Sequence, residues 1–130
     1  MSTADVGDRG ASLQLRDDTI EGGAGMDTLE GIGVEFAFGG AGENAAQLML
    51  ALKDSDRIKG IITRHEQAAS FMACGYAMYT DKLGFCFATA GPGAFNLFSG
   101  LGMAMSDSYP MLAVSGYASM EWKGRGSLNE

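Results

Sequence analysis

Four short apolar runs punctuate the chain: VEFAF at 34–38, KGIIT at 59–63, GFCFATA at 84–90 and MLAVSG at 111–116. Each is rich in apolar or β-branched residues, the composition of strands buried on both faces of a parallel sheet. Between these runs the apolar period changes. In ENAAQLMLALK, residues 43–53, Ala45, Leu48, Met49 and Leu52 recur at i, i+3, i+4 and i+7, which predicts an amphipathic helix. Ala69, Met72, Ala73 and Tyr76 repeat that spacing after Arg64, and Ala94, Leu97, Phe98, Leu101 and Met105 carry a helix over 94–105. Phe95 and Met103 fall on other sides of this last helix, so it needs neighbours on more than one face, from an adjacent layer or a partner subunit. Ahead of the first run, Ile20, Met26 and Leu29 anchor a weak helix over 19–31, interrupted by EGGAG.

Strand, helix, strand, helix, strand, helix, strand is the order of an open α/β fold: a three-layer sandwich around a mostly parallel sheet. Residues 1–18 mix charge, Ser and Gly without periodicity and read as a flexible arm, leaving 19–130 as the domain. After MLAVSG the chain turns glycine-rich and polar, and no covering helix follows the last strand. The expectation is an incomplete sheet face and a domain cut short within a larger polypeptide.

Composition narrows the function classes. The 130 residues suffice for one core, and 46% hydrophobic against 19% charged content fits a folded chain. A net charge of −7 with no basic cluster disfavours nucleic acid and anionic membranes. Cys74 and Cys86 lie in apolar surroundings without a CxxC pair, and a single histidine cannot complete a zinc site. No metal ligands are therefore expected. No signal segment or membrane span is evident, which makes cytoplasmic residence the default.

In open α/β sheets ligands gather beyond the carboxyl ends of the strands. FGGAGEN (38–44), TRHEQ (63–67) and ATAGPGAFN (88–96) belong there. The first is a glycine-rich turn, but it matches neither GxGxxG nor a phosphate loop with Lys-Ser/Thr, and Glu43 would repel a phosphate. In the last, Pro92 can start a helix while Gly91 and Gly93 allow close backbone approach. Glu66 has two readings from local physics: a carboxylate favoured by a helix N-terminus, or one poised to exchange a proton with a ring nitrogen. His65 has no triad spacing to join it.

The run RHEQAASFMACGYAMYTDKLGFCFATAGPGAFNLFSGLGMAMSDSYPMLAVSG, residues 64–116, closely resembles the pyrimidine-binding domain of thiamine-diphosphate enzymes, in their acetolactate synthase-like branch. GVEFAFGGAG (33–42) and RGSLNE (125–130) fit the same family, so the resemblance covers about 19–130. It implies that Glu66 hydrogen-bonds N1′ of the cofactor's aminopyrimidine. That contact favours the imino tautomer and hence loss of the thiazolium proton that precedes attack on a 2-oxo acid. The implied reaction is decarboxylation followed by transfer of the acyl unit to an acceptor.

By the same resemblance Gly39, Gly40, Gly91, Pro92, Gly93 and Asn96 contact the cofactor, and Gly42, Glu43, Leu128 and Asn129 lie on the substrate side. Glu43 stands where the family commonly has a small or apolar residue, and Leu128-Asn129 where acetolactate synthases usually show Phe-Gln. Both departures bear on the acceptor, which need not be pyruvate. The histidines of simple pyruvate-type decarboxylases are not evident, which favours carboligation over plain decarboxylation or oxidation. No GDG…N segment is present. Magnesium and the diphosphate are thus expected on another domain or subunit, in a homo-oligomer of at least a dimer. A flavin is compatible with the branch but unsupported by these residues. Two other classes stay open at this point: a non-catalytic interaction module with the same fold, which Glu66 disfavours, and a small nucleotide-binding domain.

Overall fold

The computed structural model describes residues 24–117. Helix α1 (Ala24–Gly31) precedes strand β1 (Phe36–Gly39), and a 3-10 turn at Glu43–Ala45 leads into α2 (Ala46–Asp54). Strand β2 (Lys59–Ile62), α3 (Glu66–Thr80) and β3 (Gly84–Ala88) follow. The short α4 (Pro92–Asn96), α5 (Phe98–Asp107) and β4 (Met111–Ser115) complete the order. The strands form one sheet in the order β2-β1-β3-β4, and every pairing is parallel. The α/β sandwich expected from the sequence is the observed architecture, with each predicted strand at its place to within one or two residues at most ends.

Strand alternation sorts the side chains between two cores. Ala37, Phe85, Phe87 and Leu112 face α1 and α2, meeting Met26, Leu29, Leu48 and Leu52. Phe38, Cys86, Ala88 and Met111 face α3 and α5, meeting Ala69, Ala73, Cys74, Leu97 and Ala104. Burial on both faces explains why GFCFA is apolar at every position rather than at alternate ones. At the lower end of the sheet, Phe36 and Tyr76 lie with ring centroids 5.4 Å apart. The Tyr76 hydroxyl donates to Glu35 Oε2 at 2.7 Å, and Lys82 Nζ to Glu35 Oε1 at 2.6 Å.

Two helices differ from their sequence reading. The buried stripe of α3 is Ala69, Ser70, Ala73, Cys74 and Ala77, whereas Met72 is exposed. Small residues win that face because backbone approaches it closely: a Cβ at Gly100 of α5 would lie 2.5 Å from Ser70 Oγ and 2.6 Å from its carbonyl carbon. The single helix expected over 94–105 is two. The Leu97 N–H bonds Ala94 O at 3.1 Å, an i−3 contact that tightens the turn before α5 begins. Leu97, Gly100 and Ala104 point inward, while Phe95, Phe98 and Met105 are exposed at 70%, 60% and 73%. The expected arm at 1–18 and the start of the helix over 19–31 lie outside the described residues.

Candidate active site

The crevice is set by topology. β1 leads to α2 on one face of the sheet and its neighbour β3 leads to α4 and α5 on the other, so the chain diverges at their carboxyl ends. Gly39–Gly42 and Thr89–Gly93 form the two lips. The loop after β2 is pinned to the first of them. The Thr63 N–H donates to Gly39 O at 2.7 Å, and the Thr63 hydroxyl lies 3.2 Å from Gly39 O and 3.0 Å from His65 O.

This loop delivers α3 with Glu66 as its first residue. His65 is the N-cap: its Nδ1 accepts the Gln67 N–H at 3.2 Å, satisfying one of the free donors at the helix start. His65 thus has a structural task, and its ring is turned to its own helix. The Glu66 carboxylate sits in the first turn, where the helix dipole favours negative charge.

Both oxygens of Glu66 have defined surroundings. Asn96 Nδ2 donates to Oε2 at 3.0 Å. Oε1 lies against two residues without side chains: a Cβ would stand 3.4 Å from it at Gly40 and 3.3 Å at Gly93. Gly91 has φ +65 and ψ −120, a combination L side chains rarely adopt, and it turns the chain sharply from β3 into α4. Pro92 then sits in the first turn of α4, and Asn96 is carried one turn on, to the carboxylate. Thirty residues of sequence separate Asn96 from Glu66, and the fold closes that interval.

The remaining sequence candidates are placed as follows. Gly39 packs under the Phe87 ring, which occupies the space of any Cβ there, and Gly42 likewise abuts the Thr89 side chain. Glu43 opens the 3-10 turn and is exposed. Leu128 and Asn129 lie outside the described residues. Two contributors were missed. The Thr89 hydroxyl donates to Asn44 Oδ1 at 3.3 Å, and Asn44 Nδ2 donates to the Tyr117 carbonyl at 2.9 Å, tying both lips to the end of β4. A polar residue inside each glycine turn was the available signal. Chemically, the arrangement presents one fixed carboxylate between two glycine-bearing turns. Among the described residues, no group of three or more His, Cys, Asp or Glu could hold a metal ion.

Residues 23–130 match the family described as thiamine pyrophosphate enzyme, N-terminal TPP binding domain. The chain belongs to this family. Among similar proteins, acetolactate synthase 3, chloroplastic, of Brassica napus is 41% identical over 105 residues, covering 81% of this chain and 16% of the relative. Acetolactate synthase of Mycobacterium avium is 41% identical over 103 residues, 79% of this chain and 17% of the relative. A probable 2-ketoarginine decarboxylase, AruI, of Pseudomonas aeruginosa is 40% identical over 104 residues, 78% of this chain and 18% of the relative. The chain therefore spans less than one-fifth of the length of these curated relatives. Glu66, Gly91, Pro92, Gly93 and Asn96 all fall within the family match.

Proposed function

We propose that the chain is the pyrimidine-holding part of a larger thiamine-diphosphate enzyme that decarboxylates a 2-oxo acid and transfers the acyl unit to an acceptor, as acetolactate synthases do. The carrying observation is the Glu66 carboxylate, held by Asn96 on one oxygen and flanked by Gly40 and Gly93 on the other. In this reading the pyrimidine edge meets Glu66 Oε1, where a side chain at Gly40 or Gly93 would press on the carboxylate, and Glu66 is the group there able to share a proton with a ring nitrogen. Thiamine diphosphate, when bound, supplies the electron sink for cleaving a carbon–carbon bond beside a carbonyl. Glu66 binds and polarises the pyrimidine. Gly40, Gly91, Pro92 and Gly93 shape the floor and lip that orient it, and Gly39 keeps the first lip tight on the sheet.

Magnesium and the diphosphate are assigned in this reading to a domain or subunit outside these residues, with at least a dimer as the working unit. The exposed Phe95, Phe98 and Met105 suit such a covered surface. Gly42 and Glu43 lie on the substrate side, with Leu128 and Asn129 assigned there from the sequence alone. Cytoplasmic residence belongs to the same proposal, and no described helix is long and apolar enough to cross a membrane.

One relative named as a probable decarboxylase supports a second reading, in which the acyl unit is released rather than transferred. Product analysis separates them. The complete natural protein is incubated with thiamine diphosphate, magnesium and a panel of 2-oxo acids, with and without an aldehyde or second keto acid. Carboligation yields a hydroxy-ketone or hydroxy-keto acid whose amount rises with acceptor. Free aldehyde in both arms would favour the decarboxylase. No cofactor-dependent loss of 2-oxo acid across the panel would overturn both.

A further inference from the structure

The family resemblance treats the segment AGPGAFN as a set of cofactor contacts. The geometry divides its labour differently. We infer that Asn96 is a positioning residue: it acts on the bound pyrimidine through Glu66 and does not itself recognise the ring. This rests on the reading of Glu66 as the cofactor's partner.

Three observations converge on the carboxylate rather than on open space. Asn96 Nδ2 donates to Glu66 Oε2 at 3.0 Å, in a half-buried setting. A bond from a neutral amide to a carboxylate is among the stronger kinds, and it fixes the rotation of the carboxylate plane. With Oε2 engaged, Oε1 is the oxygen left against Gly40 and Gly93, at 3.4 and 3.3 Å from their would-be Cβ positions. Finally, the positive φ of Gly91 aims α4 so that its last residue, Asn96, meets the first residue of α3. Loop, helix and amide together form a clamp on one side chain. The two oxygens thereby take separate tasks: Oε2 is held by the protein, and Oε1 faces the ligand.

The test is a double-mutant cycle in the complete natural protein, using N96D, E66Q and E66Q/N96D. Thiamine diphosphate is titrated calorimetrically with magnesium in excess, and the near-ultraviolet circular dichroism of the bound pyrimidine is recorded. The N96D substitution sets a second carboxylate against Glu66, so it should weaken cofactor binding about 10- to 100-fold, the range over which hydrogen bonds to charged groups act. It should also alter the dichroism. In the double variant the pair is reversed: the new amide on α3 can donate to the new carboxylate on α4. E66Q/N96D should therefore bind no more weakly than E66Q alone. A residue that merely stabilised the loop would instead give losses that multiply. Multiplying losses, or N96D binding within about twofold of the parent, would overturn the inference. Should N96D not fold, N96S removes the amide donor instead: a loss in the parent that disappears in the E66Q background supports the inference, and losses that multiply overturn it. Failure of the parent reading is distinct: E66Q alone would then retain full turnover, whatever the cycle shows.

Discussion

Replacing Gly93 by Ala adds one methyl group to a crowded wall of the crevice. A Cβ there would lie 2.8 Å from Thr89 Cγ2, 3.3 Å from Glu66 Oε1 and 3.6 Å from Ala88 Cβ. Within a helix Ala is intrinsically better than Gly by about 0.5–1 kcal/mol, so a position with free space would gain stability. Here the first contact is well inside van der Waals distance, and overpacking of this kind costs about 1–3 kcal/mol. Thr89 cannot simply turn away, because its hydroxyl donates to Asn44 Oδ1 at 3.3 Å. Releasing that bond costs about 0.5–1.5 kcal/mol. The opposing effects leave a net destabilisation of about 1–2 kcal/mol. Pressure on Glu66 adds a loss of cofactor affinity of about tenfold, the equivalent of 1.4 kcal/mol. Thr89→Ser removes the clashing Cγ2 and keeps the hydroxyl, so G93A/T89S should recover much of both losses. The assays are the thermal midpoint of the complete protein without cofactor and a thiamine diphosphate titration. A G93A variant as stable and as tight-binding as the parent, or a T89S change that recovers nothing, would refute the crowding argument.

Gly100→Ala should destabilise by about 1–3 kcal/mol, since the added Cβ would meet Ser70 backbone that cannot yield as a side chain can. Gly75→Ala on α3, with nothing within 4 Å of its Cβ position, should instead stabilise by about 0.5–1 kcal/mol, and thermal melting of the pair reads the contrast. Burial pushes the Cys86 thiol up to about 12. Cys86 should therefore resist alkylation at about pH 8 until denaturant is added, as peptide mapping would report. The Lys82 ammonium, and then the Tyr76 hydroxyl, hold the Glu35 carboxyl below its ordinary 4.5. A lowered folded value means that this contribution is present above the unfolded value and lost as pH falls through the folded one. Thermal midpoints measured as the pH falls below about 5 should thus decline less steeply in E35Q than in the parent.

What could be read from the sequence follows from which forces act locally. β3 was legible because burial on both faces makes every residue of GFCFA apolar, whereas in MLAVS burial falls away after Met111 and Leu112 and the strand ends on an exposed Ser115. α2 was legible because one face meets the sheet, leaving Leu48 and Leu52 buried and Leu50 exposed. α3 misled at Met72 because long apolar residues normally mark the buried stripe, whereas here close helix contact selects Ala, Ser and Cys. Local spacing left Glu66 between a helix-start carboxylate and a proton partner, and it is seated at a helix start that also faces the crevice. The bond from Asn96 could not be read from spacing, since it depends on the β3–α4 turn folding back across α3. The capping task of His65 was open to reading, because a side-chain acceptor stands one residue before an apolar helix.

Glu66 is proposed as the group that shares a proton with the cofactor ring. The most direct measurement is turnover of 2-oxo acid by the complete natural protein carrying Glu66→Gln, at saturating thiamine diphosphate and magnesium. Loss of a positioned proton-transfer group should lower kcat by about 10²–10⁴-fold. Turnover close to that of the parent would contradict the account.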